Sequence, residues 1–262
     1  MKNKLTILIL LLLLIITSGC SRNNTDEPYT EEPTIECPEC NTGICTEGKY
    51  EFPVLSDVSN WMQCPNFVSA RKKCLQIPDA CLGSLSTKGL LETCLEYPYF
   101  IDVFAYNDYQ TGFNSLVRQF NGYRELLERP DLINALLEKY AAIGDERESY
   151  TGKVLFSFRH FVFEFILAQD AVVDNLSEEQ KKILVLLSFE NIEMKKDNPD
   201  EFSGINFIPT YLLYAKLVIN DPDFKFESIE QKNTVLGIIQ TPRGYDQQIF
   251  DYIENYFYEK YK

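Results

Sequence analysis

The chain has 262 residues, with 39 acidic against 25 basic side chains and a formal net charge of −14 at pH 7. Nucleic acid is bound mainly through Lys and Arg side chains that neutralise phosphates, so this charge argues against a nucleic-acid partner. Beyond the amino-terminal region no stretch reaches 18 consecutive apolar residues, so a second membrane-spanning helix is not expected.

The first twenty residues have the pattern of an export signal. Lys2 and Lys4 precede an aliphatic run over 5–16. Its length of about twelve residues fits the ~7–15 of a signal sequence and falls short of the ~20 that span a bilayer. The run ends in the small residues TSG, followed by Cys20.

This ending resembles the bacterial lipobox, from which it departs at Thr17, where an aliphatic residue is usual. The resemblance implies that residues 1–19 are a signal peptide and that Cys20 is diacylated on its thiol, then freed by cleavage and acylated again on its amine. An ordinary secretory signal that happens to end in cysteine is the alternative. Because two or more acyl chains anchor a protein stably, Cys20 would hold the chain on a bilayer.

The residues after Cys20 bear on location. Ser21 resembles the residue that follows the cysteine in outer-membrane lipoproteins, and Asp26 and Glu27 resemble the export signal of surface lipoproteins in gut Bacteroidota. The resemblance implies an outer-membrane lipid-anchored protein that faces the periplasm or the cell surface. Residues 21–36 are polar and cannot bury enough apolar surface to offset their ordering entropy, which predicts a flexible tether.

Seven further cysteines follow the tether, an odd number that leaves at least one without a partner in the chain. The first four of them, spaced C-x2-C-x4-C-x18-C, are Cys37, Cys40, Cys45 and Cys64. In an exported protein we expect disulfides among these four, ahead of free thiols in an anaerobic habitat and of a zinc site. Cys94 lies in an apolar helical pattern, which predicts a small buried hydrophobe. Residues 20–52 therefore form the anchor, tether and cysteine-rich segment, and 53–262 a single domain.

Helical periodicity dominates from about residue 53. Ser86 is a predicted N-cap, and capping-box sequences begin at Ser177 and Ser228. The predicted helices cover 66–75, 86–95, 109–120, 130–143, 153–168, 177–192, 210–219, 228–239 and 245–261. Short Pro, Asp and Gly turns without a fixed-period repeat favour an all-α fold, either an irregular multi-helix bundle or a short solenoid-like domain.

The region 74–140 is similar to a helical module of uncharacterised exported Bacteroidota proteins. The similarity lies in the run CLQIPDACLGSLSTKGLLETCLEYPYF and in GFNSLVRQFNGYRELLERPD after it, in about a quarter of the chain. It implies an all-helical fold and brings no catalytic residue with it.

The helix predicted over 153–168 is apolar on most of its circumference, which is typical of a central buried helix. Ser157, His160 and Glu164 fall at i, i+3 and i+7 and therefore line one stripe. His160 is the only histidine, and with Glu164 it could form an acid/base pair or two metal ligands of an envelope hydrolase or metal-dependent enzyme. Both chemistries need further partners that no nearby motif supplies. A polar stripe that faces solvent or is satisfied internally is the alternative.

No familiar catalytic signature occurs in the sequence. It has no G-x-S-x-G, H-E-x-x-H, P-loop or dinucleotide-binding glycine pattern. We therefore assign no catalytic residue and no cofactor. The predicted function is that of an envelope lipoprotein, anchored to the bilayer through Cys20, which binds a glycan, a peptide or a partner protein. The tyrosines and phenylalanines of the last helix could form such a surface, but their spacing places about half of them in the core.

Overall fold

The computed structural model describes residues 37–40, 42–55, 58–62, 64–150, 152–241 and 246–262. The predicted signal peptide, Cys20 and the tether lie outside the described residues. Residues Cys37–Lys262 form one compact unit, which includes the cysteine-rich segment. Within the described ranges, no helix combines the length and the apolar character that crossing a bilayer requires.

The fold is all-α, as the periodicity predicts, apart from one small hairpin near the amino terminus. In the hairpin, β1 (Ile44–Cys45) pairs antiparallel with β2 (Tyr50–Glu51). The α-helices are α1 (Val58–Trp61), α2 (Phe67–Cys74), α3 (Asp79–Ser84), α4 (Thr87–Leu95), α5 (Tyr109–Gln119), α6 (Asn121–Glu128), α7 (Leu132–Ala142), α8 (Lys153–Leu167), α9 (Asp170–Val173), α10 (Glu178–Asp197), α11 (Ile208–Ile219), α12 (Ile229–Gln240) and α13 (Gln247–Tyr261). Short 3-10 helices occupy Phe100–Ala105, Arg147–Ser149 and Gly204–Phe207.

Side-chain caps determine where several helices begin. Ser86 accepts a hydrogen bond from the Gly89 N–H at 3.1 Å, which confirms the predicted N-cap of α4. The capping box that starts α10 at Ser177 is complete. At α12 only half of the predicted box forms, because the Gln231 side chain accepts from the N–H of Glu227 rather than from that of Ser228.

The main core surrounds α8 and α11, which pack against each other. From Phe161 to Leu167 every residue of α8 is buried, so the prediction of a central buried helix is confirmed for that part. It is wrong for the amino-terminal turns, where Val154, Leu155 and Phe158 are exposed. No described helix covers this side of α8.

The hairpin rests on α4. Tyr50 is buried, and its N–H donates to the Thr93 hydroxyl at 2.9 Å. A Cβ atom on Gly89 would lie 2.3 Å from the carbonyl oxygen of Gly48. Only glycine therefore lets the hairpin turn approach the helix so closely.

Three disulfides join the cysteine-rich segment to the first helices. They are Cys37–Cys64, Cys40–Cys74 and Cys45–Cys81, with Cα atoms 5.2, 5.1 and 5.8 Å apart. The prediction of pairing among the first four cysteines is therefore correct for Cys37 and Cys64 and wrong for Cys40 and Cys45. The physical reason is that the segment runs along the helices, so each of its cysteines meets a different cysteine of α2, of α3 or of the turn before α2.

The three disulfides leave Cys94 as the one described cysteine outside a bridge. Cys94 is a free thiol buried in the core, as its apolar pattern predicts. The described residues contain no group of three or more His, Cys, Asp or Glu side chains arranged to hold a metal ion.

Beside the disulfides lies a second, smaller core. It consists of Trp61, Cys64 and Cys74, with half-buried apolar residues around them. The only tryptophan of the chain is therefore a reporter of this region.

Candidate functional site

The predicted polar stripe on α8 lies in the interior. Glu164 and His160 are completely buried and Ser157 almost so. The Glu164 carboxylate pairs with the ammonium of Lys195 from α10. It also accepts hydrogen bonds from the Tyr140 hydroxyl at 2.7 Å and the Thr210 hydroxyl at 2.8 Å. Helices α7, α8, α10 and α11 thus converge on one carboxylate.

The Lys195 ammonium has three hydrogen-bond acceptors, of which the Glu164 carboxylate is one. Its ammonium donates to the Asn206 carbonyl at 2.9 Å and to the Thr210 hydroxyl at 3.0 Å. Burial lowers the pKa of Lys195, and Glu164 opposes that shift. Burial raises the pKa of Glu164, but the charge of Lys195 and the hydrogen bonds from Lys195 and Tyr140 outweigh it and hold this pKa below its ordinary value. The carboxylate is therefore ionised at neutral pH.

His160 is neutral in this environment. Burial lowers the pKa of its imidazole to about 4, against the opposing effect of Glu164. The amide of Asn191 donates to the Leu187 carbonyl at 2.9 Å, which turns its oxygen toward Nε2 of His160, also 2.9 Å away. Nε2 therefore carries the proton. Nδ1 lies 3.8 Å from the nearer Glu164 oxygen and has no hydrogen-bond partner among the described residues.

This arrangement does not assemble a hydrolytic site. His160 and Glu164 are brought together, but the Ser157 hydroxyl donates to the Val154 carbonyl of its own helix at 3.2 Å. None of the cavities described below is lined by any of these three side chains. His160 and Glu164 expose no surface to solvent. The stripe acts as a polar core that fixes the relative positions of four helices.

The second candidate is an exposed apolar surface, which we call the Phe158 face. It consists of five large apolar side chains at the start of α8 and on the 3-10 helix Phe100–Ala105. They are Ile101, Phe104, Val154, Leu155 and Phe158, with exposed fractions of 50, 38, 77, 62 and 44%. Ile101 and Phe104 are three residues apart, and Phe158 follows Leu155 by three and Val154 by four, so the residues of each helix lie on one side of it.

Aromatic rings connect the two parts of the face. Phe158 stacks on Phe161 with a centroid distance of 6.5 Å, and Phe161 lies 5.8 Å from Phe104. Phe158 also meets Phe100 edge-on at 6.4 Å. Because Phe100 and Phe161 belong to the core, the exposed rings stand on a rigid base.

A cleft of about 320 Å³ opens beside Leu155 and Phe158. Its other walls include Pro98, the Tyr150 ring and the ion pair of Glu96 with Arg159. Its volume lies near the lower end of the ~300–1,000 Å³ of ligand sites. The face therefore offers an apolar surface with a concave part.

The charges at this cleft are already paired. The Arg159 guanidinium is buried and contacts Glu92 and, at 3.5 Å, Glu96. Glu96 also accepts from Lys49 of the hairpin at 2.8 Å. The cleft therefore lacks a spare buried charge for a small ion, and its apolar walls dominate what it can bind.

The other described cavities expose fewer large apolar side chains, although one of them is larger than the cleft and mostly apolar in its walls. One of about 500 Å³ is lined by Phe207, Tyr211 and Phe250, but only Ile205 among its walls is a strongly exposed large apolar residue. Another, of about 290 Å³, is lined by charged groups, including Asp221 and Lys260, which pair with each other at 2.8 Å. Of the rings of α13, Phe250 and Phe257 are buried, and the Tyr252 and Tyr256 hydroxyls donate to the Lys225 carbonyl and to the Asp221 carboxylate.

Sequence reasoning missed the Phe158 face because it assigned the whole of α8 to the core. One signal was present: a helix that is apolar on every side needs neighbours on every side. Val154, Leu155 and Phe158 add apolar surface to its first turns, and the loop residues just before α8 contain no apolar run to cover them.

In comparisons with known proteins, no family model, no curated protein and no solved structure matches this chain. The arrangement of its own residues is therefore the basis for assigning a function.

Proposed function

We propose that the chain is a lipid-anchored protein of the bacterial envelope whose helical domain binds another protein through the Phe158 face and catalyses no reaction. The observation that carries the proposal is the concentration of five exposed large apolar side chains on one rigid surface. Contiguous exposed apolar patches with polar rims mark interaction sites. Aromatic residues at the centre of such patches contribute most of the binding energy.

A protein segment suits the face better than a glycan does. A sugar presents many hydroxyl groups, each of which needs a hydrogen-bond partner when it loses water. The charged groups in the cleft, Glu96 and Arg159, are engaged with each other and with Lys49 and Glu92. The buried Tyr97 hydroxyl and the Nε of Arg159 have no partner among the described residues, which is fewer groups than the hydroxyls of a sugar ring require. Apolar side chains of a partner give up no hydrogen bond on entering this cleft, and their removal from water is favourable.

Cross-linking in the native envelope tests the binding function. A photoreactive benzoylphenylalanine is introduced at Leu155 and, as a matched control, at Ile229, which is also 62% exposed but lies on α12. We expect a discrete cross-linked protein from position 155 and none from position 229. The same products from both positions, or none from either, would contradict the proposal.

The anchor is supported by the signal-like amino terminus and by Cys20. Cells supplied with an alkyne analogue of palmitate should label the protein, and Cys20→Ala should abolish the label. Retained label in this variant would sink the anchoring part of the proposal, while the cross-linking result would stand by itself.

The alternative, an envelope hydrolase centred on His160 and Glu164, has less support. Both side chains are completely buried; Lys195 and Tyr140 hold the Glu164 carboxylate, and Asn191 holds Nε2 of His160. A hydrolytic activity that His160→Gln abolishes without loss of thermal stability would revive this alternative.

A further inference from the structure

Resting on the proposed function, we infer that the segment bound at the Phe158 face is a proline-rich stretch of another protein in the polyproline II conformation. Its proline rings would lie against Tyr150 and Phe158, and one of its carbonyl oxygens would accept a hydrogen bond from the Tyr150 hydroxyl. Three properties of the cleft support this partner: the rings in its walls, the kind of polar group that it leaves free, and its balanced charge.

The walls of the cleft consist largely of rings. Tyr97, Pro98, Tyr150 and Phe158 supply four of its eight lining residues. Pro98 is exposed, Phe158 is 44% exposed and Tyr150 is half-buried, so these three are accessible to a partner. Proline-rich segments bind in grooves lined by such rings, because their backbone is preformed and loses little entropy on binding.

The polar group that the cleft leaves free can donate a hydrogen bond. The Tyr150 hydroxyl has no hydrogen-bond partner among the described residues. The carboxylate acceptor in the walls, Glu96, is already held by Lys49 at 2.8 Å and lies 3.5 Å from Arg159. Two further donors, the Tyr97 hydroxyl and Nε of Arg159, are also unpartnered but lie below the surface of the cleft.

This pattern distinguishes three kinds of partner backbone. An ordinary extended peptide presents both N–H and C=O groups and therefore needs acceptors as well, which a strand edge supplies. The described part of the Phe158 face contains helices and no strand. A helix satisfies its own backbone and would leave the Tyr150 hydroxyl unused. A proline-rich segment lacks N–H groups and has free carbonyls, so its backbone needs donors alone.

The charge around the cleft is balanced. The charged residues that line this cleft and the neighbouring cavity, which Tyr150 also lines, are three acids and three bases: Glu96, Glu148, Glu201, Arg147, Lys153 and Arg159. Each of them pairs with another member of the set. An uncharged partner therefore suits this surface, and its binding should depend little on salt.

Oligoproline peptides of opposite handedness test the inference. Fluorescein-labelled decamers of L-proline and D-proline have the same composition, but only the first forms the left-handed polyproline II helix. Each is titrated with the full lipidated chain in phosphatidylcholine nanodiscs, with empty nanodiscs subtracted, and anisotropy is recorded between about 50 and 300 mM salt. We expect the L-peptide to bind at least about tenfold more tightly than the D-peptide, with an affinity that changes less than about twofold over this range.

Matched variants locate the binding surface. Leu155→Ser should weaken binding of the L-peptide at least about fivefold, in keeping with loss of an interface anchor. Ile229→Ser, with the same exposure as Leu155, should leave binding unchanged. Tyr150→Phe keeps the ring and removes the hydroxyl, which should weaken binding about two- to tenfold, whereas Tyr258→Phe on α13 should have no effect. Because Leu155 is exposed and the Tyr150 hydroxyl has no partner, thermal unfolding should stay the same in all four variants.

Each contrary result has a distinct meaning. Equal binding of the L- and D-peptides, or equal weakening by a variant and its control, overturns the inference. So does an amphipathic helical peptide of Leu and Gln whose binding is lost in Leu155→Ser, if the L-peptide does not bind. If position 155 cross-links a protein but the L-peptide does not bind, the inference fails and the proposed function survives. If neither occurs, both fail.

Discussion

The region of residues 37–81 and the helical body that follows it are held together by different means. The first has a small core around Trp61 and three disulfides that tie an extended segment to short helices. The body has one large core, and its only cysteine, Cys94, is a free thiol. Where few apolar side chains can be buried, covalent links restrict the unfolded chain instead.

The body, in turn, contains a feature that a small core could not tolerate. Removing the charges of Glu164 and Lys195 from water costs several kcal/mol for each ion, which their pairing and their hydrogen bonds offset. Four helices supply those partners, and burial of the surrounding apolar core offsets what remains of the desolvation cost. Each of the following predictions tests one side of this comparison.

The largest effect is expected from breaking the buried ion pair. Lys195→Met leaves the Glu164 carboxylate buried without its cation, which should lower the free energy of unfolding by about 3–5 kcal/mol in urea titrations. Lys196→Met is the matched control, because this neighbouring lysine is 49% exposed and should change stability by less than about 0.5 kcal/mol. Equal losses in the two variants would show that the pair has no special role.

Removing one disulfide should act on the small core. The double variant Cys40→Ser with Cys74→Ser opens a loop of 34 residues, for which the chain-entropy model gives about 3–4 kcal/mol. We expect Trp61 fluorescence to shift to the red at lower urea than far-UV circular dichroism changes. Coincident transitions would mean that the two regions unfold as one unit.

Acidification should destabilise the body through His160. The pKa of this residue falls from 6.5 to about 4 on burial, so the unfolded chain binds the proton more readily than the folded chain does. The contribution is present in full above about pH 6.5 and is lost as the pH falls toward 4, by about 3 kcal/mol in all. Because this is the only histidine, His160→Gln should flatten the dependence of stability on pH between 5 and 6.5. An unchanged slope would be inconsistent with a buried neutral imidazole.

The smallest effect is expected where the two regions touch at Gly89. A Cβ atom there would lie 2.3 Å from the Gly48 carbonyl oxygen, so Gly89→Ala should cost about 1–3 kcal/mol through overpacking. Gly83→Ala is the control, since a Cβ on Gly83 meets no atom within 4 Å. Thermal unfolding of both variants measures the difference. A stabilised Gly89→Ala protein would mean that the hairpin does not rest on α4 in solution.

Features that depend on neighbouring residues in the chain could be predicted from the sequence. The starts of α4 and α10 follow from Ser86 and Ser177, because an N-cap bonds to a backbone group within the next turn. The all-α class follows from apolar spacing, which is also a local property. The chemistry expected at Cys20 belongs with these, as a prediction from sequence alone.

Tertiary structure decided what depends on distant parts of the chain. Cysteine pairing follows from the path of the segment along α2 and α3, which spacing does not encode. The partner of Glu164 is Lys195, 31 residues away and indistinguishable by sequence from the exposed Lys196. Leu155 and Phe158 have the apolar character of core residues, and only the absence of a covering element among the described helices turns them into a surface. Burial is a property of neighbours in space, so it could not be derived from the pattern of one helix.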